Sequence, residues 1–323
     1  MTIARLVAGC TLAFSALLQH SPAAADYPDH PIRLIVPTSP GSTADVVARV
    51  VADALGKSLG QPMIVENLSG AAGIPGTRQL VSARPDGYTL AMVSSNHAIN
   101  PSLYRNIPYD SVRDITPVSV VGTTPLVLVT ARNSPYRNVA DLLKAAKAEP
   151  GKINYGSSGT GSVLHLAGEL LKSRAGVDLM HIPYRGGNAL ITDVMSGQVQ
   201  TAFLAVPSVI AQVQAGQLRA LAVSTPGRVS VLPSVPTLAE SGVPGYSYDA
   251  WIALIGPARL PADIARRLQA ATQQAMQDKA VLATLQPQGF VAQGGTSEQA
   301  AQILAAEITK TRSLVTAAGI SPE

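Results

Sequence analysis

The sequence predicts an α/β protein of two lobes, each a mostly parallel sheet covered by helices. Three observations carry this. Short apolar runs rich in β-branched residues alternate with amphipathic helical stretches along nearly the whole chain, the pattern of strand–helix–strand units. Pro/Gly-rich stretches interrupt the alternation twice, at residues 120–125 ("VVGTTP") and 224–246 ("STPGRVSVLPSVPTLAESGVPGY"), with α/β material on both sides. A chain of 323 residues is also long enough for two domains.

The first residues read as an export signal. Arg5 supplies the positive charge, "LVAGCTLAFSALL" is apolar but too short to span a bilayer, and "SPAAAD" offers small residues at Ala23 and Ala25. Cleavage is expected before Asp26. "VAGC" resembles a lipoprotein box, but Cys10 comes very early and most of the apolar stretch follows it. Plain cleavage is therefore preferred over a lipid anchor. It removes the only cysteine, so the mature chain has no disulfide or thiol chemistry. No later segment is apolar for long enough to cross a membrane. A soluble protein outside the inner membrane, in the periplasm of a Gram-negative cell, is expected. The formal charge of +4 is mild and no segment clusters Lys and Arg, which argues against a nucleic-acid partner.

The elements follow in order. "IRLIVP" (residues 32–37) is a strand, and "GSTADVVARVVADALGKSLG" a helix in which Val47, Val51, Ala54 and Leu55 share a face and Gly60 stops the run. "PMIVEN" and, after the turn "RPDG", "YTLAMVS" are strands. "PLVLVTA", the helix "VADLLKAAKA", and the strands "KINYG", "VQTAFLA" and "LRALAVS" come next. Beyond the second break lie the strand "WIALIGP", a helix with Ile264, Leu268, Ala271 and Ala275 on one face, and a last helix at about Ser297–Ala317.

Chemistry concentrates in loops. "YGSSGTGSVLHL" (residues 155–166) lacks the lysine of a phosphate-binding P-loop, has its glycines in the wrong order for a dinucleotide fingerprint, and carries threonine where a nucleophile elbow needs glycine. His165 lies near the serines without marking a base. The mature chain's histidines, His30, His97, His165 and His181, fall in no recognised metal spacing, and no cofactor or metal is expected. The remaining reading is an anion seat. Ser162 is a good cap for a helix whose Ala167, Leu170 and Leu171 are buried. Unpaired N–H groups and a partial positive charge gather at such a helix start, and Ser157, Ser158, Gly159, Thr160 and Gly161 supply amides and hydroxyls. A capped turn without a ligand is the plainer alternative.

The pattern recurs. "VPTSPGSTADVVARV" also runs from strand through glycine to helix, with Ser42 as cap, Asp45 three residues on, and Thr38, Ser39, Gly41 and Thr43 as donors. With one loop in each lobe, two helix starts would meet at the carboxyl ends of the strands and suit a small molecule with separated carboxylates. "HIPYRGGNALITDVMSGQVQ" adds Gly187, Asn188 as a further cap, Arg185 as a cleft cation or a solvated surface residue, and Asp193 as a partner for water or a ligand amine, or as an orienting group. "SSNHAINP" brings Ser95 and His97 to the first lobe's strand ends, with His97 read first as a structural donor. Trp251 is assigned to core or hinge packing.

These segments together resemble the substrate-binding proteins of tripartite tricarboxylate transporters, the Bug or TctC-like family. The likeness runs from "YPDHPIRLIVPTSPGSTADVVAR" through "VENLSGAAGIPGTRQLVSARPDGYTL", "HAINPSLY", "INYGSSGTGSVLHLAGELL" and "HIPYRGGNALITDVMSGQVQ" to "LPSVPTLAESGVPGY" and the last helix. It implies a two-lobed periplasmic binding protein of the type II-like Venus-flytrap kind with two chain crossings at its hinge: a signal peptide over residues 1–25, lobe 1 over 26–124 and 226–323, lobe 2 over 125–225. It implies a monomeric receptor that takes a di- or tricarboxylate or aromatic acid and delivers it to a two-component membrane permease. The ligand carboxylate would be gripped, partly through ordered waters, by loops matching residues 38–45 and 156–165, with Arg185, Gly187, Asn188 and Asp193 on a third side. The chain departs from the family in Gly41-Ser42, where a Gly-Gly pair is usual, in "GGNALITD", and at Gln200, where aspartate is frequent. The alternatives are a sensor that presents the ligand to a membrane kinase, a serine hydrolase using Ser157, Ser158 or Ser162 with His165, and the effector domain of a transcription regulator.

Overall fold

The computed structural model describes residues 27–184 and 187–322. The export segment proposed from the sequence, with Cys10, lies outside them. Two sheets organise the chain. The first takes β1 (Ile32–Val36), β2 (Met63–Asn67), β3 (Thr89–Ser94), β4 (Ile115–Thr124), β10 (Ala250–Pro257) and β11 (Val291–Ala292), in the order β11-β4-β10-β3-β1-β2. The second takes β5 (Leu126–Ala131), β6 (Asn154–Ser157), β7 (Met180–Pro183), β8 (Thr201–Ala205) and β9 (Leu218–Val223), in the order β7-β6-β8-β5-β9.

Side-chain alternation puts a core on each face of each sheet. Ile32, Leu34 and Val36 of β1 pack with α1 (Thr43–Leu59), α8 (Ala262–Ala275) and α9 (Lys279–Leu285), while Ile35 faces α2 (Ile74–Val81), α3 (Asn96–Leu103) and α10 (Ser297–Ala317). In the second sheet, Leu126 and Leu128 of β5 join a core with α4 (Val139–Ala148) and α5 (Val163–Ala175). Val127 and Val129 join the opposite core with α6 (Gly187–Ser196) and α7 (Val206–Gln214).

The sheets are mixed where the sequence suggests mostly parallel ones. β1 pairs in parallel with β2 and β3, and β6 with β7 and β8. The antiparallel pairings all involve strands at the crossings between lobes: β10 with β3 and β4, β11 with β4, and β5 with β8 and β9. The cause is the crossing itself. β4 ends at Thr124, Pro125 intervenes, and the chain continues almost directly as β5 in the other sheet. The returning β10 then inserts between β3 and β4, running against both.

The return comes later than position 226. Val229, Leu232 and Val235 pack in the α6/α7 core, and Leu238, Val243, Tyr246 and Tyr248 in the α4/α5 core. Residues 226–249, assigned to lobe 1 from the sequence, therefore lie on the second lobe, because their spaced apolar residues cover its sheet without forming an element of their own. The last helix bridges the lobes: Ala300 and Leu304 belong to the first lobe's core, Leu314 and Val315 to the second's. Ser224 stitches the hinge. Its Oγ accepts the Leu126 N–H at 3.0 Å and donates to Asp249 Oδ1 at 2.9 Å, and its carbonyl accepts the Tyr248 N–H at 3.2 Å.

Candidate functional site

Parallel β1, β2 and β3 end on one edge of their sheet, and parallel β6, β7 and β8 on one edge of theirs, so the loops that follow gather at strand carboxyl ends in both lobes. Besides the bridging last helix, the lobes meet near these loops. Leu103 of α3 lies against Gly161, and Val206, first residue of α7, lies against Gly289.

Loop 1, residues 37–42, enters α1 through Ser42, which is extended (φ −67°, ψ 158°) and whose side chain accepts the Asp45 N–H at 3.3 Å. Thr38 Oγ1 is 2.9 Å from Ser42 Oγ. The Gly41 N–H, at φ 77°, donates to Asp45 Oδ2 at 2.8 Å. Asp45 is buried and also accepts from Asn67 Nδ2 (2.8 Å) and Arg49 Nε (3.2 Å). Burial pushes its carboxyl up, but the hydrogen bonds from Gly41, Asn67 and Arg49 together hold it below the usual carboxylate range. Asp45 is thus a brace of the loop. Ser39 and Gly41 are exposed and Thr43 half-buried.

Loop 2, residues 158–162, enters α5 in the same way. Ser162 is extended (φ −64°, ψ 160°) and accepts the His165 N–H at 3.2 Å. The Gly161 N–H donates to His165 Nδ1 at 2.9 Å. Ser157 is fully buried. Its hydroxyl donates to the Gly159 carbonyl (3.0 Å), accepts the Gly159 N–H (3.1 Å), and lies 2.7 Å from His181 Nε2. Ser158 is half-buried and Thr160 exposed, and neither side chain has a hydrogen-bond partner among the described residues.

These bonds decide which donors remain. The N–H groups of Gly41, Asp45, Gly159, Gly161 and His165 are spent within their own loops. The N–H groups of Thr43 and Ala44 on α1, and of Val163 and Leu164 on α5, have no partner among the described residues. Each helix therefore offers two free amides at its positive end, the arrangement that holds carboxylates and phosphates.

The other sequence-assigned residues divide. Arg185 lies outside the described residues. Gly187 opens α6, so Asn188, expected as its cap, stands in the first turn of that helix, exposed. Asp193 Oδ2 accepts the Tyr184 hydroxyl at 2.6 Å, and burial, with that bond, pushes the Tyr184 hydroxyl up to about 12. Ser95 and His97 are buried in the first lobe. Ser95 Oγ accepts the Trp251 N–H at 2.9 Å, tying β3 to the hinge-side strand β10. His97 Nε2 donates to the Ser111 carbonyl at 2.9 Å, and burial lowers its pKa, so it is a neutral structural donor. Gln200 joins strands: its Oε1 accepts the Asn154 N–H at 2.7 Å, and its own N–H donates to Asn154 Oδ1 at 2.8 Å.

Two features escape sequence reasoning. His181 supports loop 2 from the neighbouring strand, a pairing that only the β6–β7 register reveals: Tyr155 stands opposite His181, and Ser157 two residues further along. The turn after β2 holds Ala71 and Ala72 at φ 41° and 53°, a conformation that is sparsely populated for side-chain-bearing residues. It is pinned by Asn100, whose amide donates to the Ala72 carbonyl at 3.1 Å. The "GAAG" of residues 70–73 was its one trace in the sequence.

Comparison with known proteins agrees with this architecture. The family model described as "Tripartite tricarboxylate transporter family receptor" matches residues 47–320. The chain is 36% identical to Protein BugT of Bordetella pertussis over 322 residues, covering 99% of each protein. Among solved structures, R. palustris Rpa4515 with adipate is 31% identical with a TM-score of 0.80, over 92% of this chain and 100% of that one. MatC (Rpa3494) from Rhodopseudomonas palustris with bound malate is 27% identical with a TM-score of 0.75, over 90% of this chain and 100% of that one. The chain belongs to the tripartite tricarboxylate transporter receptor family, in which its fold is that of a two-lobed periplasmic binding protein.

Proposed function

We propose that the mature chain is a periplasmic receptor that closes its lobes on a small di- or tricarboxylate and passes it to a tripartite tricarboxylate transporter permease. The observation that carries this is the matched pair of helix starts, each with two free amides and a capping serine, on strand ends of the two lobes. Adipate and malate in the related structures supply the ligand class. Among the described residues no helix is long and apolar enough to cross a membrane.

The energetics are adequate. A hydrogen bond to a charged group contributes about 1.5–3 kcal/mol, and micromolar affinity requires about 8 kcal/mol. Four amides and one or two hydroxyls supply that after the costs of closure. No lysine is needed, because the charge of the acid is met by helix ends.

One observation favours a hydrolase reading: Ser157 and His181 stand 2.7 Å apart. The same geometry weakens it. Ser157 is fully buried, and its hydroxyl is also bonded to the Gly159 carbonyl and N–H of its own loop. A nucleophile needs access to its substrate and a base that accepts its proton.

The deciding experiment is a thermal-shift and calorimetric screen of residues 26–323 against mono-, di- and tricarboxylates and aromatic acids. Saturable stabilisation by at least one di- or tricarboxylate is expected. Flat traces across the panel, or ester hydrolysis that disappears in Ser157→Ala, would reject the receptor reading.

A further inference from the structure

Loop 2 rests on two imidazoles. His165 accepts the Gly161 N–H at Nδ1. His181 of β7 stacks on it, ring centroids 3.7 Å apart and planes 10° from parallel. His181 Nε2 lies 2.7 Å from Ser157 Oγ, which also accepts the Gly159 N–H and donates to the Gly159 carbonyl. A hydroxyl has one proton to give. With that proton on the Gly159 carbonyl, His181 must be the donor, protonated at Nε2. His165 is bare at Nδ1 and therefore also protonated at Nε2, which faces Glu169 Oε1 at 3.8 Å. Glu169 Oε1 is in turn held by the Tyr155 hydroxyl at 2.5 Å and Lys172 Nζ at 3.1 Å.

Both rings are neutral in this arrangement. Burial lowers both pKa values: that of His165 to about 3, with His181 and Lys172 adding to the effect, and that of His181 against the pull of the Glu169 carboxylate. A proton on His165 Nδ1 would remove the only acceptor of the Gly161 amide among the described residues. Glycines at 159 and 161, at φ 131° and 74°, have no side chains of their own to hold those two positions in place.

We propose that His165 and His181 are positioning residues for the binding loop: a stacked neutral pair that locks the amides of Gly159 and Gly161 and so aims the free amides of Val163 and Leu164. The ligand meets neither ring. The effect on affinity rests on the receptor reading, whereas the lock itself does not. Pre-ordering a glycine-rich loop raises affinity by removing the entropy cost of ordering it on binding.

The test uses conservative pairs of variants in residues 26–323. His165→Asn places an amide oxygen where Nδ1 stands, and His165→Phe keeps the ring and removes the acceptor. His181→Gln places an N–H donor where Nε2 stands, and His181→Leu removes it. In the wild type, imidazole nitrogen NMR should show both rings protonated at Nε2 alone. Amide exchange at Gly161 should be about tenfold faster in His165→Phe than in His165→Asn, as loss of one buried hydrogen bond implies. Gly159 should behave likewise between His181→Leu and His181→Gln. Adipate affinity should fall about tenfold in the Phe and Leu variants, and the Asn and Gln variants should restore most of it. A wild-type His165 protonated at Nδ1, or equal exchange within each pair, would overturn the proposal. Should the Phe or Leu variant not fold, the wild-type tautomers and the Asn and Gln variants still decide. Should adipate not bind the wild type, the affinity arm uses the acid that does; absence of binding across the whole acid panel counts against the receptor reading, and the exchange and tautomer results then judge the lock by themselves.

Discussion

Loop 1 and loop 2 each place a glycine before a capping serine, and each has a residue three positions past the cap whose side chain takes the glycine's N–H. In loop 1 the acceptor is the Asp45 carboxylate, at 2.8 Å from Gly41 N; in loop 2 it is the neutral His165 ring, at 2.9 Å from Gly161 N. Local geometry is conserved between the lobes while its charge is not. Asp45 brings a negative charge into the first turn of α1, where it draws on the helix dipole and needs Arg49 and Asn67 beside it. His165 brings none, so α5 keeps its dipole for a ligand. The second lobe should therefore hold the stronger carboxylate seat, and the first should close over it.

The glycines probe this comparison with the largest effect. A side chain at 161 collides with Leu103 and sits at positive φ, whereas at 41 it meets nothing within 4 Å and bears only the φ penalty. In urea unfolding, Gly161→Val should cost about 3 kcal/mol or more and Gly41→Val about 1–2 kcal/mol. Equal losses would mean that the lobes do not meet at Leu103.

A pH comparison of the loops must first clear the hinge. Burial pushes the Asp249 carboxyl up to about 6, against the hydrogen bond from Ser224. A raised carboxyl stabilises the fold below its unfolded value near 4, and that contribution is lost as pH rises through about 6. Asp249 should contribute a fall of roughly 2–3 kcal/mol across this window, set against the rise from His97, His165 and His181, which burial keeps neutral in the folded state, so Asp249→Asn, which keeps an acceptor for Ser224, should make stability rise more steeply with pH than in the wild type. An unchanged pH profile in the variant would place the titrating group elsewhere.

Asp45→Asn sharpens the contrast of charge. It leaves one of the donors from Gly41, Asn67 and Arg49 facing an amide NH2, and should cost about 1–3 kcal/mol of stability. It should leave the carboxylate affinity of loop 2 intact. Ser158→Ala is the smallest change, weakening carboxylate binding by about 0.5–1.5 kcal/mol with no change in melting temperature of the free protein.

Much of the fold was legible because its signals are local. Ser42 and Gly60 bound α1 as cap and left-handed stop, and the spacing of "VADLLKAAKA" marks α4. The antiparallel insertion of β10 was not legible, since strand direction depends on how the chain returns through the hinge and not on any residue of "WIALIGP". The two loops were readable as helix starts, yet the roles inside them were not. Asp45 and His165 look alike in sequence as polar residues three past a cap, and only geometry shows both turned back on a glycine amide. Ser95 and His97 carry polar side chains at a strand end, but their partners, the Trp251 amide and the Ser111 carbonyl, come from segments with no sequence signal pointing to them.

The central claim is that four main-chain amides, two from each lobe, take the ligand's carboxylates. Amide NMR of residues 26–323 titrated with adipate, or with whichever di- or tricarboxylate binds in the thermal screen, tests it most directly. The Thr43, Ala44, Val163 and Leu164 N–H signals should all move downfield and saturate together, the α5 pair furthest. Saturable binding that leaves these four signals in place would contradict it.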